Sequence, residues 1–251
     1  MSEEPEYHNA WKALRIHTRA RIGIGRTGSG IPVKESLEFR LAHAHARDAV
    51  YSKLDTEKLT ASLVQFKLPI LHLESRANYR ELYLQRPDLG RLLDDASAQQ
   101  LQNHVGQTDI AVIIADGLSA YAVNSNAVLL LEALLPMLTD AKLTVAPIAL
   151  VEHGRVAVGD VVASILNAKL SLMLIGERPG LSSSDSMGAY LTYNPKPGLT
   201  DEARNCVSNI RPEGLPYDQA ARKLYNLIQQ AFRRKLSGVQ LKDNTATGYF
   251  P

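Results

Sequence analysis

The chain has a single cysteine, Cys206, among 251 residues, so no disulfide can close within it; the expectation is a reducing compartment. Aromatic residues make up only 6%, with one tryptophan, Trp11. No uninterrupted apolar run approaches the roughly 20 residues of a membrane span. Neither sign of charge dominates: 28 Lys and Arg against 26 Asp and Glu leave +2, too little to argue for nucleic acid or an anionic membrane. The opening Met1-Ser2-Glu3-Glu4-Pro5-Glu6 is acidic and lacks the basic and apolar regions of a signal peptide. No P-loop and no nucleophilic triad stands out. The expected setting is the cytoplasm, or a compartment assembled inside it, with no membrane and no nucleic acid as partner.

What is present suits a globular protein: 45% of residues are hydrophobic and 22% charged. The first ten residues read as a loose polar lead. The spacing predicts a helix over 9–21, a Gly-rich turn from Gly23 to Gly30, and a second helix from Pro32 to about Leu54. Residues 56–105 read as short helices and loops, broken at Pro69 and Pro87. The texture changes at Gln107. Strands are predicted over 109–115, 143–151 and 169–175, alternating with helices over 119–135 and 160–167. Two further strands are offered at 189–193 and 206–210, then an amphipathic helix over 218–236 and a polar tail after Lys242. Strand–helix alternation implies right-handed crossovers. The fold class is therefore α/β: a Rossmann-like, mainly parallel sheet with flanking helices over 106–251, preceded by an N-terminal helical region over 1–105.

Leu170 to Ile175 forms a short, wholly apolar run that stops at Gly176-Glu177-Arg178-Pro179-Gly180. Such a run is a strand buried on both faces, and its carboxyl end is where open α/β sheets bind ligands. Glu177 is there a general base, a solvated turn residue or an acceptor for ligand amides and hydroxyls; its position favours the acceptor. Asp116 has a similar place, or caps the helix beginning near Ser119. Cys206 is a nucleophile, a small buried apolar residue or a pocket wall. Gly23-Ile24-Gly25-Arg26-Thr27-Gly28 matches the dinucleotide fingerprint in letters, with Asp48 at the separation of a ribose-binding acid. A freestanding NAD-dependent oxidoreductase is thus the alternative reading, although a basic helix precedes the glycines where the fingerprint needs a strand. His43 and His45 point to different sides of a helix, and His153 has no second ligand at zinc spacing, so no metal site is expected. The basic stripe Lys12, Arg15, Arg19, Arg21 and Arg26 is a solvated face or a partner interface.

An ordered set of stretches carries more than any one of them. It comprises Trp11-Lys12-Ala13-Leu14-Arg15 with Arg21 to Arg26, Phe39 to Val50, Ile114-Ala115-Asp116-Gly117-Leu118-Ser119-Ala120, His153-Gly154-Arg155-Val156, Gly176 to Leu181, and Cys206-Val207-Ser208-Asn209-Ile210. From about Trp11 to Asp243 the chain resembles the small (light) subunit of ethanolamine ammonia-lyase. The resemblance implies an adenosylcobalamin-dependent lyase that converts ethanolamine to acetaldehyde and ammonia. It implies a separate TIM-barrel large subunit holding the substrate, assembly as a hexamer of large–small heterodimers, and residence in the cytoplasm or a bacterial microcompartment. The small subunit is inactive alone and covers the cofactor from the side of its nucleotide tail. Carried over by motif, the cofactor contacts fall on Val156, Glu177 and Cys206, with Arg155 and Arg178 as weaker phosphate or partner contacts. The chain has no Asp-x-His-x-x-Gly motif, which fits a family that keeps the cofactor's own base on cobalt.

Overall fold

The computed structural model describes residues 11–18 and 20–242. The expected loose lead and polar tail lie outside the described residues. In chain order the elements are α1 (Lys12–Arg15), α2 (Val33–Tyr51), α3 (Thr56–Leu63), β1 (Ile70–Glu74), α4 (Arg80–Gln85) and α5 (Asp95–Gln102). Then come β2 (Thr108–Ala115), α6 (Ala120–Asp140), β3 (Ile148–Glu152), α7 (Val158–Ile165), β4 (Ala168–Gly176), β5 (Met187–Tyr193), β6 (Asn205–Ile210) and α8 (Tyr217–Arg234).

Six strands form one sheet in the order β1-β3-β2-β4-β5-β6. The class is α/β, but the sheet is mixed, which corrects the expectation of a mainly parallel one. Pairs β1–β3, β3–β2 and β2–β4 are parallel, whereas β4–β5 and β5–β6 are antiparallel. The cause is connection length. Residues 177–186 and 194–204 are too short to carry a helical crossover back to the same end of the sheet. A second correction concerns 56–105, which contributes the edge strand β1 despite its helix-and-loop texture. Pro69 breaks the preceding helical pattern, and Ile70, Leu71 and Leu73 then pack against the sheet's two cores. The helix expected over 9–21 is a single turn among the described residues, because the Arg15 guanidinium turns back to the Ile22 carbonyl (Nε···O 2.9 Å) and the Gly23 carbonyl.

Both faces of the central strands are buried, as their continuous apolar runs require. On one face α6 and α8 cover Ile110, Val112, Ile114, Leu170, Leu172 and Leu174, continuing over Ala189, Leu191 and Val207. α6 has a membrane span's length and apolarity, but in this fold it is the core helix between sheet and α8, with ten buried residues. On the other face α5 and α7 cover Ala111, Ile113, Val151, Met173 and Ile175. Past β4 that second cover thins, with α7 reaching β5 through Asp160, which hydrogen-bonds the buried Thr192.

Three rim loops meet at the turn after β2. The Asp116 carboxylate accepts from the N–H groups of Gly117 (2.9 Å) and Gly154 (3.1 Å) and pairs with Arg80 Nη1 (3.2 Å). Arg80 also donates to the carbonyls of Gly117 and Val50. Asp116 is therefore not the cap of α6; the Ser119 hydroxyl takes that role, accepting from Ala122 N–H at 3.2 Å. The same turn presses on the end of β4. A Cβ on Gly176 would lie 2.0 Å from the Ser119 carbonyl oxygen and 2.6 Å from that of Asp116. Both are backbone atoms that cannot swing aside.

Gly176→Ala should therefore lower the unfolding free energy by about 1–3 kcal/mol through overpacking. Gly106→Ala, which meets nothing within 4 Å, should change it by under about 0.5 kcal/mol; urea titration of both variants checks this. Asp116 gives a pH signature. Burial pushes its carboxyl from 3.8 up to about 7, against the pull of Arg80 and the backbone N–H groups of Gly154, His153 and Gly117. The folded chain thus holds this proton more tightly than the unfolded chain. Its contribution to stability is complete below about pH 4 and is lost as pH rises through about 7. Asp116→Asn should abolish that decline, whatever its overall cost, when denaturant unfolding is compared across this range.

Candidate functional site

The uncovered part of the second face is where the expected site residues gather. Side chains alternate across a strand, so Gly188 and Tyr190 of β5 face opposite to Met187, Ala189 and Leu191. Cys206 of β6 stands directly across from Tyr190, and Gly188 stands across from Ile175 of β4. No helix lies over these positions among the described residues, and Cys206 is exposed. Tyr190 packs its ring on the same core as Val156. The result is a shallow floor open to solvent, bordered by the amino-terminal end of α7 and by the loop after β4.

Glu177 is placed by its own backbone, whose N–H donates to the Ser186 carbonyl (3.0 Å) across the β4–β5 connection. Its carboxylate is held by one oxygen: Oε2 accepts from the Ser186 hydroxyl and from the Asn209 N–H at 3.3 Å. The other oxygen has no hydrogen bond among the described residues. Oε1 faces Gly188, where a Cβ would lie 3.0 Å from it and 3.3 Å from the Tyr190 ring. A half-buried carboxylate thus offers an acceptor beside Gly188, which is itself buried under the Glu177 side chain and the Tyr190 ring.

Cys206 is no prepared nucleophile. Its sulfur is enclosed enough that burial pushes the thiol above its ordinary value, and the Glu177 charge adds to this while a hydrogen bond with Tyr190 opposes it. A base that raised nucleophilicity would do the reverse. Tyr190 is itself held protonated by burial and by the neighbouring Cys206 and Glu177. Val156 sits in the turn that opens α7, half-buried, with its carbonyl accepting from Gly159 N–H at 3.1 Å. Beneath the floor, Asp160 of α7 and Arg204, just before β6, form an ion pair with both side chains 3% exposed (Nε···Oδ2 3.1 Å). Arg204 also donates to Asp201 and to the Leu199 carbonyl. This pair spans from the Val156 side to the Cys206 side.

The structure therefore brings Glu177 and Cys206 together through Tyr190, and puts Val156 at the border of the same layer. Arg155 is turned elsewhere: its guanidinium stacks 4.2 Å from the Tyr83 ring centroid and donates to the Tyr83 carbonyl. Arg178 is exposed beside Glu177. Gly188, Tyr190, Ser186 and Asn209 escape the sequence reading. A glycine inside an apolar alternation is the signal that marks a close approach, and it falls one residue before the predicted strand. Two clefts of about 440 and 430 Å³ lie away from this floor, the first between α2 and residues 181–185, the second around Arg80 and His153. A half-socket open on one side is not a cavity, so its shape is legible only from the strand register.

The fingerprint-like glycines are in the wrong place for a dinucleotide. Gly23, Gly25 and Gly28 all have positive φ and lie between α1 and α2, whereas the first strand begins at Ile70. The strand–turn–helix context of a phosphate cradle is missing, so the oxidoreductase alternative loses its only support. Asp48, His43 and His45 are exposed on α2. Among the described residues no three His, Cys, Asp or Glu stand as a metal-binding group.

Comparison with known proteins identifies the family. Residues 8–242 match the model of the family described as ethanolamine ammonia-lyase light chain (EutC). The ethanolamine ammonia-lyase small subunit of Xanthomonas campestris pv. campestris is 53% identical over 239 residues, covering 94% of this chain and 88% of that protein. Those of Pseudomonas fluorescens (52% identical; 94% and 87% covered) and Azotobacter vinelandii (50% identical; 95% and 90% covered) are similar at the same level. The open floor at the sheet's carboxyl rim thus belongs to a protein matched along almost its whole length, and the chain is a member of the ethanolamine ammonia-lyase light-chain family.

Proposed function

We propose that this chain is the small subunit of an ethanolamine ammonia-lyase, inactive alone, and that its open sheet floor receives adenosylcobalamin while a large subunit covers the cofactor from the other side. The observation that carries the cofactor reading is the free Glu177 Oε1 above Gly188. Neutral corrin amides and ribose hydroxyls are donors, and an ionised carboxylate with one oxygen already anchored is a matching acceptor. Cys206 and Val156 give soft apolar walls, and the Tyr190 ring gives a rigid one.

The division of labour follows. Adenosylcobalamin, when bound, supplies the radical chemistry by which the amino group migrates and ammonia leaves. This chain's residues bind and orient. Glu177 fixes rotation about the floor, and Tyr190 with Cys206 excludes water from one edge. The Asp160–Arg204 pair holds the two borders of the floor at a constant separation. On this reading substrate chemistry falls to the large subunit. The four parallel strands β1-β3-β2-β4 read as a Rossmann-like core to which β5 and β6 add the ligand floor. On this reading residues 106–242 carry the ligand rim, and the chain before 106 supplies an edge strand and the projecting helix α2. We read the assembly as large–small pairs grouped as a hexamer, in the cytoplasm or a microcompartment.

Reconstitution tests the reading. Acetaldehyde should form only when large subunit, adenosylcobalamin and this chain are combined; turnover by the large subunit with cofactor alone would refute it. Within the reconstituted enzyme, Glu177→Ala should weaken cobalamin binding by about 1–3 kcal/mol, a roughly tenfold to hundredfold rise in the concentration for half-maximal turnover. Cys206→Trp should act alike, through cofactor affinity rather than through the chain's melting temperature, since it adds bulk at an exposed position. Variants that lower the melting temperature while leaving cobalamin affinity intact would make these positions core residues.

A further inference from the structure

The helix α2 carries a row of exposed apolar side chains that nothing among the described residues covers. Of its 19 residues only Ala49, near the carboxyl end, is buried. Val33, Leu37 and Leu41 recur at four-residue spacing on one side and are 75%, 58% and 57% exposed; Phe39, on the opposite side, is 47% exposed. Ile31, just before the helix, is 60% exposed. A helix of this length is marginal in water without tertiary packing, and monomers rarely display so continuous an apolar surface. The segment before it folds along the same helix, through Arg15 with Glu35 (3.9 Å) and Arg21 over the Phe39 ring (5.7 Å). Residues 11–51 therefore form one projecting arm.

Two observations say what covers it. Charge is the first: residues 11–51 hold eight Lys and Arg against three Asp and Glu, in a chain whose net charge is only +2. The complement is an apolar surface rimmed by carboxylates. Position is the second. The β4–β5 connection anchors Glu177 through Ser186, and its residues Leu181 to Asp185 form the wall opposite Glu38, Leu41, Ala42 and His45 of α2 in the cleft of about 440 Å³. One loop thus borders the cofactor floor on one side and the arm on the other. A subunit that closes the floor already lies against the arm.

We infer that the arm, with Leu37 and Leu41 as its anchors, is the clasp that docks this chain on an acid-rimmed apolar groove of the large subunit. The inference rests on the small-subunit reading above. The test compares the full chain with Leu37→Glu/Leu41→Glu, measuring association with the large subunit by titration calorimetry, and self-association of the isolated chain by light scattering. The double variant should leave the melting temperature and circular dichroism in place, because both side chains are exposed, and should weaken association roughly 30-fold or more. Arg40→Glu/Arg47→Glu should slow association and flatten its salt dependence. Wild-type affinity in both variants would overturn the clasp while leaving the small-subunit reading intact. A chain that self-associates, and loses only that contact in the variants, would overturn it in favour of a second copy as occupant. Failure of the unaltered chain to bind any large subunit would instead refute the small-subunit reading.

Discussion

The structure depends on the close approach of two pieces of backbone at the carboxyl rim of the sheet: the turn 116–119 and the end of β4 at Gly176. The Leu118 N–H donates to the Gly176 carbonyl at 3.0 Å, and Gly117 and Gly176 each lie where any Cβ would collide with the other's neighbourhood. Asp116, in the same turn, reaches the opposite way to the Gly154 N–H. One short segment thereby fixes both the loop that carries Val156 and the loop that carries Glu177. A rim built on backbone contacts is stiffer than one built on long side chains, because no rotamer change relieves a displacement. That stiffness suits a face whose ligand must be received in one orientation.

The consequence is a division between a rigid half and a missing half. β5 and β6 extend the sheet beyond most of the cover of α7: Met187, Ala189 and Leu191 are buried under α8, while on the other face Gly188 and Thr192 are buried, Tyr190 is half-buried and Cys206 is exposed. The second face is thus closed towards β4 and opens to solvent at Cys206. The arm built on α2 repeats the theme with apolar surface rather than ligand-binding groups. Both surfaces border the β4–β5 connection, so on the proposed reading one partner meets them together.

Much of this was legible in the sequence. The apolar runs at 109–115 and 169–175 gave the central strands, since continuous burial leaves no polar alternation to misread. The break at Gly176-Glu177 gave the rim. The ordered motifs gave the family; Val156, Glu177 and Cys206 follow from it as proposed cofactor contacts. What was not legible came from distance in the chain. β1 is five residues long, and its texture does not differ from the helices around it until β3 is beside it. The antiparallel turn of β5 follows from a connection too short for a crossover, a point of length rather than composition. Ser186 and Asn209 became visible as partners of Glu177 only once β5 and β6 were paired. Conversely, the letters of the dinucleotide fingerprint at Gly23 to Gly28 misled, because a glycine spacing has meaning only between a strand and a helix.

The claim at the centre is that the bare floor of β5 and β6 is half of a cobalamin socket. A structure of the assembled large and small subunits with cobalamin bound tests it most directly. The account requires the cofactor's edge against Tyr190 and Cys206, with one of its amides or hydroxyls on Glu177 Oε1. Cobalamin held entirely within the large subunit, with the floor of this chain in bulk water, would contradict it.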